Sequence, residues 1–307
     1  MKVLITDKLQ EEAFQVFDKN KIEYIKQYNI TPAELKREIK NYEAIIIRSR
    51  TKLTAEILEN GKNLKVIGRA GVGLDNIDLN KANDLGFEVL NTPEAPSVSV
   101  AELTIGLILS LARHISKADE TMHCGEWHKS DYMGFLLKDK KLGLIGFGSI
   151  GQEVAKRAIA FAMKIGIYDV DSGVKSIAKD MGYGIYSSVD ELVQDAQVIS
   201  LHIPATVDTE NTMDKRRINL MNKDSILINT ARGNLVDEKA LLEALKAKQI
   251  GGAALDVYRE EPLMDMELCN CEDNLILTPH VGSQTRETQI LASVMIAEKI
   301  VNYLKSL

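Results

Sequence analysis

The sequence has little cysteine, and its few cysteines do not suggest a covalent or metal-bound framework. Three cysteines among 307 residues, Cys124, Cys269 and Cys271, are too few and too unevenly spaced for a set of disulfides. The pair in Cys269-Asn270-Cys271 lacks the second pair of ligands that a zinc site requires. We therefore expect a protein of a reducing compartment that binds no metal.

The sequence also lacks a basic block and a long apolar run. Its 38 Lys and Arg against 44 Asp and Glu give a net charge of −6, which argues against nucleic acid as a partner. The most apolar helical run, 103–112, is about half as long as a membrane span requires, so it predicts a buried or interface helix and no membrane partner. The amino terminus turns acidic before an apolar run of signal-peptide length develops, so we expect a cytoplasmic protein.

Short β-branched runs alternate with amphipathic stretches along the chain, which is typical of parallel sheets built from βαβ units. Strands are predicted at 2–6, 23–27, 44–49, 65–69 and 88–92, and then at 142–148, 165–170, 197–203, 225–231, 251–257 and 274–280. A capping box formed by Thr31 and Glu34, with Pro32 in the first turn, predicts the start of a helix. Longer helices are predicted over 97–126 and 286–307.

The length of the chain suits about two domains. Connections in compact proteins tend to end close to where they began, so we assign the last helix to the first domain. The predicted fold class is α/β with two doubly wound parallel-sheet domains. One domain is formed by 1–95 and 287–307, and the other, 96–286, is inserted into it.

A glycine pattern opens the second series of strands. Gly146, Gly148 and Gly151 follow the strand LGLI and lead into a helical run, which is the arrangement of a dinucleotide-binding Rossmann unit. Ser149 and Ile150 complete this loop, whose N–H groups would hold a pyrophosphate. The glycines alone are a weak signal, but Asp169 ends the next strand near the spacing expected for a ribose contact. A carboxylate there repels a 2′-phosphate, so the predicted cofactor is NAD.

Three further stretches, 228–241, 251–263 and 275–285, each place a polar residue just beyond an apolar strand. Ligands of open parallel sheets bind at that edge, so Arg232, Glu261 and His280 are expected to meet over a nicotinamide ring. A histidine suits removal of a hydroxyl proton, a carboxylate orients the ring, and an arginine anchors a substrate carboxylate. Taken singly, a histidine after a strand is often structural, and Arg-Gly is often a turn.

These motifs together resemble the NAD-dependent D-2-hydroxyacid dehydrogenases, and most of all the short, phosphoglycerate-oxidising branch of that family. The resemblance covers nearly the whole chain: IIIRSRTKLT, VIGRAGVGLDNID, VLNTPEAPSVSVAEL, LGLIGFGSIG, NTARGNLVDEKAL, GAALDVYREEPL and TPHVGSQTRE occur in this order. It implies a Rossmann NAD domain inserted into a flavodoxin-like substrate domain. It also implies a homodimer built around the long helix that starts at Ser97.

The resemblance assigns roles to individual residues. It implies that Arg232 binds substrate, that Glu261 orients the histidine and that His280 is the general acid and base. The implied cofactor contacts, besides the glycine loop and Asp169, are Ile203 and Pro204 on the adenine side, Asp256 at the nicotinamide carboxamide, and Thr230 and Gly282. The implied substrate contacts are Arg48 and Arg69 at a phosphate, with Lys129 near the neighbouring subunit's site. The loop after Arg69, including Val72 and Gly73, offers backbone N–H groups to a carboxylate.

The expected reaction is oxidation of 3-phospho-D-glycerate to 3-phosphohydroxypyruvate with NAD, the first step toward serine. A reductase for glyoxylate, hydroxypyruvate or another 2-keto acid is an alternative, because it shares the catalytic residues without a phosphate site. A third possibility is an NAD-sensing corepressor on the same fold. Pro96 differs from the residue that the family usually has at this position. The chain stops after the returning helix, so serine feedback is not expected.

Overall fold

Two compact α/β units make up residues 1–271 and 273–307, the part of the chain that the computed structural model describes. The first unit is Met1–Pro96 with Ser283–Leu307, and the second is Ser97–Gly282. Each has a parallel sheet with helices on both faces. The predicted fold class, two doubly wound parallel-sheet domains, is confirmed.

The first unit contains a five-stranded sheet in the order β2-β1-β3-β4-β5, which is the flavodoxin-like order. All its strand pairs are parallel. The strands are β1 (Lys2–Ile5), β2 (Glu23–Lys26), β3 (Ala44–Ile47), β4 (Val66–Arg69) and β5 (Glu88–Asn91). The helices are α1 (Glu11–Lys19), α2 (Pro32–Glu38), α3 (Ala55–Leu58), α4 (Leu79–Asp84) and the C-terminal helix (Arg286–Ser306).

Local sequence explains these elements. The predicted capping box at α2 is present, with the Glu34 N–H donating to Thr31 Oγ1 at 3.3 Å and the Thr31 N–H donating to Glu34 Oε2 at 2.9 Å. Every side chain of β3 is buried, as expected for a strand covered on both faces. The C-terminal helix lies against β4 at Gly68, where a Cβ would stand 2.9 Å from Ile296 Cγ1. The glycine therefore permits the close approach of helix and sheet.

The second unit contains a sheet in the order β12-β11-β10-β9-β6-β7-β8, all parallel, which is the Rossmann order extended by one strand. The strands are β6 (Lys141–Ile145), β7 (Lys164–Tyr168), β8 (Gly184–Ile185), β9 (Val198–Leu201), β10 (Ile226–Asn229), β11 (Gly252–Leu255) and β12 (Leu275–Leu277). The helices are α5 (Ser97–Arg113), α6 (Ile115–His123), α7 (Ser149–Ala160), α8 (Ser172–Asp180), α9 (Val189–Asp195), α10 (Lys215–Ile218), α11 (Glu238–Lys246) and α12 (Met266–Cys269).

The apolar run at 103–112 forms most of α5 and is largely buried within the second unit, where Ile108, Leu111 and Ala112 belong to its core. Among the described residues, no single helix has the length and apolarity to cross a membrane. The pair α5 and α6, bent by 66°, meets that criterion by length and composition only.

Candidate active site

The functional side chains of the second unit gather at one edge of its sheet. Because the strands are parallel, their carboxyl ends lie together, and ligands of such sheets bind there. The segments that follow β6, β7, β9, β10, β11 and β12 at this edge contain Gly146, Asp169, His202, Arg232, Asp256 and His280, respectively.

His280 and Glu261 form a contact at this edge. His280 Nδ1 lies 2.8 Å from Glu261 Oε2, and the two side chains are 49% and 38% exposed, so both are accessible from solvent. The other carboxylate oxygen, Oε1, accepts the backbone N–H of Tyr258 at 3.2 Å. An ionised carboxylate only accepts, so Nδ1 carries the proton and Nε2 presents its lone pair away from Glu261. This arrangement leaves Nε2 able to take a proton.

Asp256 organises the loop that carries His280. Its buried carboxylate accepts three hydrogen bonds: from Thr278 Oγ1 at 2.6 Å, from the Val281 N–H at 2.8 Å and from the Gly282 N–H at 2.9 Å. These donors flank His280, whose backbone is left-handed with φ of 52°. Asp256 is thereby tied to the His280 loop, and its contact with a nicotinamide carboxamide, which the resemblance implies, stays a prediction.

The loop of Arg232 is fixed by its neighbours. Asn229, at the end of β10, donates from Nδ2 to the Arg232 carbonyl at 2.8 Å and accepts the Ala231 N–H at 3.1 Å. Gly233 lies so close to the Tyr258 backbone that a Cβ would stand 1.8 Å from the Tyr258 carbonyl carbon. The loops that carry Arg232 and Glu261 therefore touch through main chain.

Glycine is required for a different reason at each of the three glycine positions of the loop. Gly146 has φ of +95°, and a Cβ on it would lie 2.5 Å from the His202 carbonyl oxygen. A Cβ on Gly151 would lie 2.5 Å from the Gly146 carbonyl oxygen. A Cβ on Gly148 would meet no described atom within 4 Å, and the φ of Gly148 is −69°. The protein's own packing thus explains the first and third glycines, while the second leaves open space at the start of α7.

Asp169 reaches back to the glycine loop. Its Oδ2 accepts the Phe147 N–H at 2.7 Å, and its Oδ1 accepts the Asp171 N–H at 2.9 Å. Each oxygen retains a lone pair for a ribose hydroxyl. The carboxylate is thus held beside the glycine loop, and its contact with a ribose stays a prediction.

The other predicted cofactor residues of the second unit lie around the same edge. Ser149 and Ile150 begin α7, and Thr230 Oγ1 is buried 3.0 Å from Thr104 Oγ1. Ile203 is half-buried, and Pro204 is exposed, with its carbonyl accepting from Thr209 Oγ1 at 2.7 Å. These positions line the start of α7 and the ends of β9 and β10.

The predicted substrate residues Arg48, Arg69, Val72 and Gly73 belong to the first unit. The Arg48 N–H donates to the buried Asp7 carboxylate at 2.6 Å, and its Nη1 donates to the Lys8 carbonyl at 3.3 Å. Burial lowers the pKa of Arg48, with Asp7 acting in the opposite direction. Arg50 instead pairs with Asp7 through Nε at 3.0 Å. Asp7 therefore fixes the backbone of Arg48, whereas the side chain with which Asp7 forms an ion pair is that of Arg50.

The loop after Arg69 is also ordered by its own contacts. A Cβ at Gly71, where φ is +144°, would lie 1.8 Å from Arg69 Nη1, so the guanidinium rests on the glycine backbone. The Gly71 N–H donates to Thr92 Oγ1 at 2.8 Å, and Asn91 Nδ2 donates to the Val72 carbonyl at 2.7 Å. Val72 and Gly73 are half-buried in this loop.

Residues 105–282, more than half of the chain, match the family model of the D-isomer specific 2-hydroxyacid dehydrogenase, NAD binding domain. The chain belongs to the D-2-hydroxyacid dehydrogenase family. Its second unit contains the NAD-binding domain of that family, and NAD is the cofactor.

Relatives within the family include proteins of different named activities. The D-3-phosphoglycerate dehydrogenase of Methanocaldococcus jannaschii is 44% identical over 306 residues, 99% of this chain and 58% of that protein. The hydroxypyruvate reductase of Thermotoga maritima is 42% identical over 303 residues, 97% of each chain. The crystal structure of D-lactate dehydrogenase from Aquifex aeolicus complexed with NAD and lactic acid is 30% identical, with a TM-score of 0.81 covering 100% of this chain and 95% of that one. The chain thus spans little more than half of the first relative's length.

The residues of this family member fit a dinucleotide. The open space at Gly148 admits a pyrophosphate against the backbone, and Asp169 retains acceptors for a ribose. Near the same loop, His202 Nδ1 is buried and has no hydrogen-bond partner among the described residues. Burial lowers the pKa of His202 to about 3, so its imidazole is neutral.

Several residues that support the site were not predicted from the sequence. Ser200 is buried in β9 and contacts His202 Nε2 at 2.9 Å, and Asn229 brackets the Arg232 loop. Both are polar residues within otherwise apolar, buried strands, which is a signal that the sequence contains. Gly233 offered a weaker signal, because its close contact joins segments that are distant in sequence.

Proposed function

We propose that this D-2-hydroxyacid dehydrogenase oxidises 3-phospho-D-glycerate to 3-phosphohydroxypyruvate, the first step toward serine. The contact of His280 Nδ1 with Glu261 Oε2 carries the proposal, because it leaves Nε2 as a base at the ligand-binding edge of the sheet. NAD, held by the glycine loop and Asp169, would supply the acceptor for the hydride at C2 of the substrate. The name of the Methanocaldococcus jannaschii relative supports the same reaction.

Each catalytic residue has one role in this proposal. His280 Nε2 takes the proton of the C2 hydroxyl, and Glu261 holds the ring and stabilises the imidazolium that forms. Arg232 binds the substrate carboxylate through its planar guanidinium. Asp256 keeps the His280 loop in place through the three hydrogen bonds that flank it. The reverse reaction returns the proton from His280 to the carbonyl oxygen.

Arg48 is expected to select the phosphorylated substrate. A cation about 4 Å from an anion is worth roughly 4 kcal/mol at an effective dielectric of 20 before desolvation is subtracted. We expect Arg48→Ala to lower kcat/KM for phosphoglycerate by at least about 30-fold, which corresponds to about 2 kcal/mol, while D-glycerate oxidation changes little. Steady-state kinetics with both substrates measure the difference, and Arg69→Ala should behave in the same way.

Lys52→Ala is the matched control, because it removes an exposed cation from the same segment. It should leave both activities unchanged. Equal losses of kcat/KM for phosphoglycerate and D-glycerate in Arg48→Ala would show that the substitution damages the protein as a whole and does not act on phosphate binding. Unchanged phosphoglycerate oxidation would instead refute the phosphate-binding role.

Reduction of hydroxypyruvate is a second candidate, favoured by one observation. The Thermotoga maritima hydroxypyruvate reductase is 42% identical to this chain, nearly as similar as the Methanocaldococcus jannaschii phosphoglycerate dehydrogenase at 44%. An NADH absorbance assay across phosphoglycerate, hydroxypyruvate, glyoxylate, lactate and 2-hydroxyglutarate separates the two reactions. Turnover of hydroxypyruvate without turnover of phosphoglycerate would replace the first proposal.

We also propose that the protein is a homodimer. The segment from α5 to β6 exposes several large apolar side chains, which a monomer would leave in water. The most exposed are Trp127 at 77%, Met133 at 86% and Leu136 at 72%. Light scattering should give a dimer for the wild type and a monomer for the double variant Trp127→Glu, Met133→Glu.

Met181→Glu serves as the control for the charge change, because Met181 is 52% exposed at the end of α8, outside this segment. It should remain a dimer. A monomeric wild-type protein would contradict the proposal.

A further inference from the structure

One peptide unit beside Glu261 is held from two directions. The peptide joining Tyr258 and Arg259 presents its N–H to Glu238 Oε1, at 2.8 Å. Its carbonyl group faces Gly233, where a Cβ would lie 1.8 Å from the carbonyl carbon and 2.0 Å from the oxygen. The orientation of this peptide is therefore set by the glycine on one side and by the carboxylate on the other.

The preceding N–H group connects this peptide to the candidate active site. The Tyr258 N–H donates to Glu261 Oε1 at 3.2 Å, while Glu261 Oε2 contacts His280 Nδ1 at 2.8 Å. A rotation of the following peptide changes the backbone angle at Tyr258 and withdraws this donor from Glu261. The carboxylate of Glu261 then loses the contact that aims its second oxygen at His280.

Glu238 is suited to hold such a peptide. It begins α11 and is half-buried, and burial raises its pKa while the Arg259 N–H contact opposes that rise. The guanidinium of Arg259 is engaged elsewhere, by Glu210 at 3.3 Å and by Asn211. The contact of Glu238 with the main chain is thus separate from the ion pair of Arg259 with Glu210.

We propose that Glu238 is a positioning residue for proton transfer at His280. The inference rests on the proposed function, because it assigns Glu238 an effect on the base of that reaction. Glu238 acts through the Tyr258–Arg259 peptide on Glu261, and through Glu261 on the histidine. Gly233 is the second element of the same clamp, on the carbonyl side of the peptide.

Glu238→Ala should lower kcat by about 10- to 100-fold, the range that a small misplacement of a catalytic group produces. The acidic limb of the pH profile in the oxidation direction should move to lower pH, because Glu261 no longer stabilises the imidazolium as well. The KM for NAD should not change. Glu238→Gln should restore most of the rate, since its amide oxygen still accepts the Arg259 N–H.

Glu210→Gln is the matched control, because Glu210 contacts the Arg259 side chain and not this peptide. It should show the wild-type rate and pH profile. A lower melting temperature of Glu238→Ala with an unchanged pH profile would show that Glu238 has a merely structural role, and would overturn the inference. A wild-type rate in Glu238→Ala would also overturn it. His280→Ala, assayed in parallel, keeps the two claims apart: its retained turnover would refute the proposed function, whereas its inactivity beside an unaffected Glu238→Ala would refute only the role of Glu238.

Discussion

His280→Ala is expected to lower kcat for oxidation of the 2-hydroxy acid by about 10²- to 10⁴-fold, the contribution typical of general acid–base catalysis. The variant removes Nε2, the only ring atom that the contact with Glu261 leaves free to take the hydroxyl proton. It should still bind NADH, because the glycine loop and Asp169 are untouched. NADH absorbance measures turnover, and the quenching of protein fluorescence measures NADH binding.

The protein contains a matched control for this experiment. His128 also pairs with carboxylates, through Nε2 to Glu126 at 3.0 Å and through Nδ1 to Asp131 at 3.4 Å, but it lies between α6 and β6 and does not follow a strand of the sheet. His128→Ala should retain the wild-type kcat. Glu261→Gln should fall between the two, since it keeps an acceptor for Nδ1 without the charge. Full turnover by His280→Ala would contradict the assigned chemistry.

Gly148→Ala and Gly146→Ala are expected to fail in different ways. A methyl group at Gly148 meets no described protein atom within 4 Å, so the variant should melt at the wild-type temperature. The same methyl group would occupy the open space in which the glycine loop is predicted to receive a pyrophosphate. If this crowding costs about 1–3 kcal/mol, as overpacking does, NADH binding weakens by roughly 5- to 150-fold. Calorimetry measures both the melting temperature and the affinity.

Gly146→Ala should instead destabilise the fold itself. The residue has φ of +95°, and its new Cβ would lie 2.5 Å from the His202 carbonyl oxygen. The backbone strain alone costs about 1–3 kcal/mol. Gly184→Ala is the control, because its Cβ would make only ordinary contacts of 3.6 and 3.8 Å. If Gly148→Ala bound NADH with wild-type affinity, the loop would not hold the pyrophosphate as described.

The fold was predictable because buried parallel strands leave a strong mark in the sequence. Runs such as AIII and ILIN became the fully buried strands β3 and β10. Strand β8 was not predicted, since two exposed residues, Gly184 and Ile185, give no pattern. The C-terminal helix was predicted over 286–307, and the structure forms it over Arg286–Ser306.

The candidate site was predictable where a residue type and its place after a strand coincide. His280 and Glu261 were expected to meet, and the structure places them in contact, while their catalytic roles stay predictions. The support of this pair was not predictable. Glu238 and Gly233 contact the Tyr258–Arg259 peptide across segments more than twenty residues apart, and such contacts depend on the exact path of two loops.

The division of the chain also bears on how the protein is made. The second unit is a continuous segment, Ser97–Gly282, so a ribosome delivers all of its core before the last helix exists. The first unit begins earlier but includes Ile296, Ile300 and Leu304 in its core. Since domains generally fold as units, the first unit, whose synthesis begins before that of the second, completes its folding after it. Until those final side chains emerge, the face of β4 that Ile296 and Ile300 cover in the finished protein stays exposed.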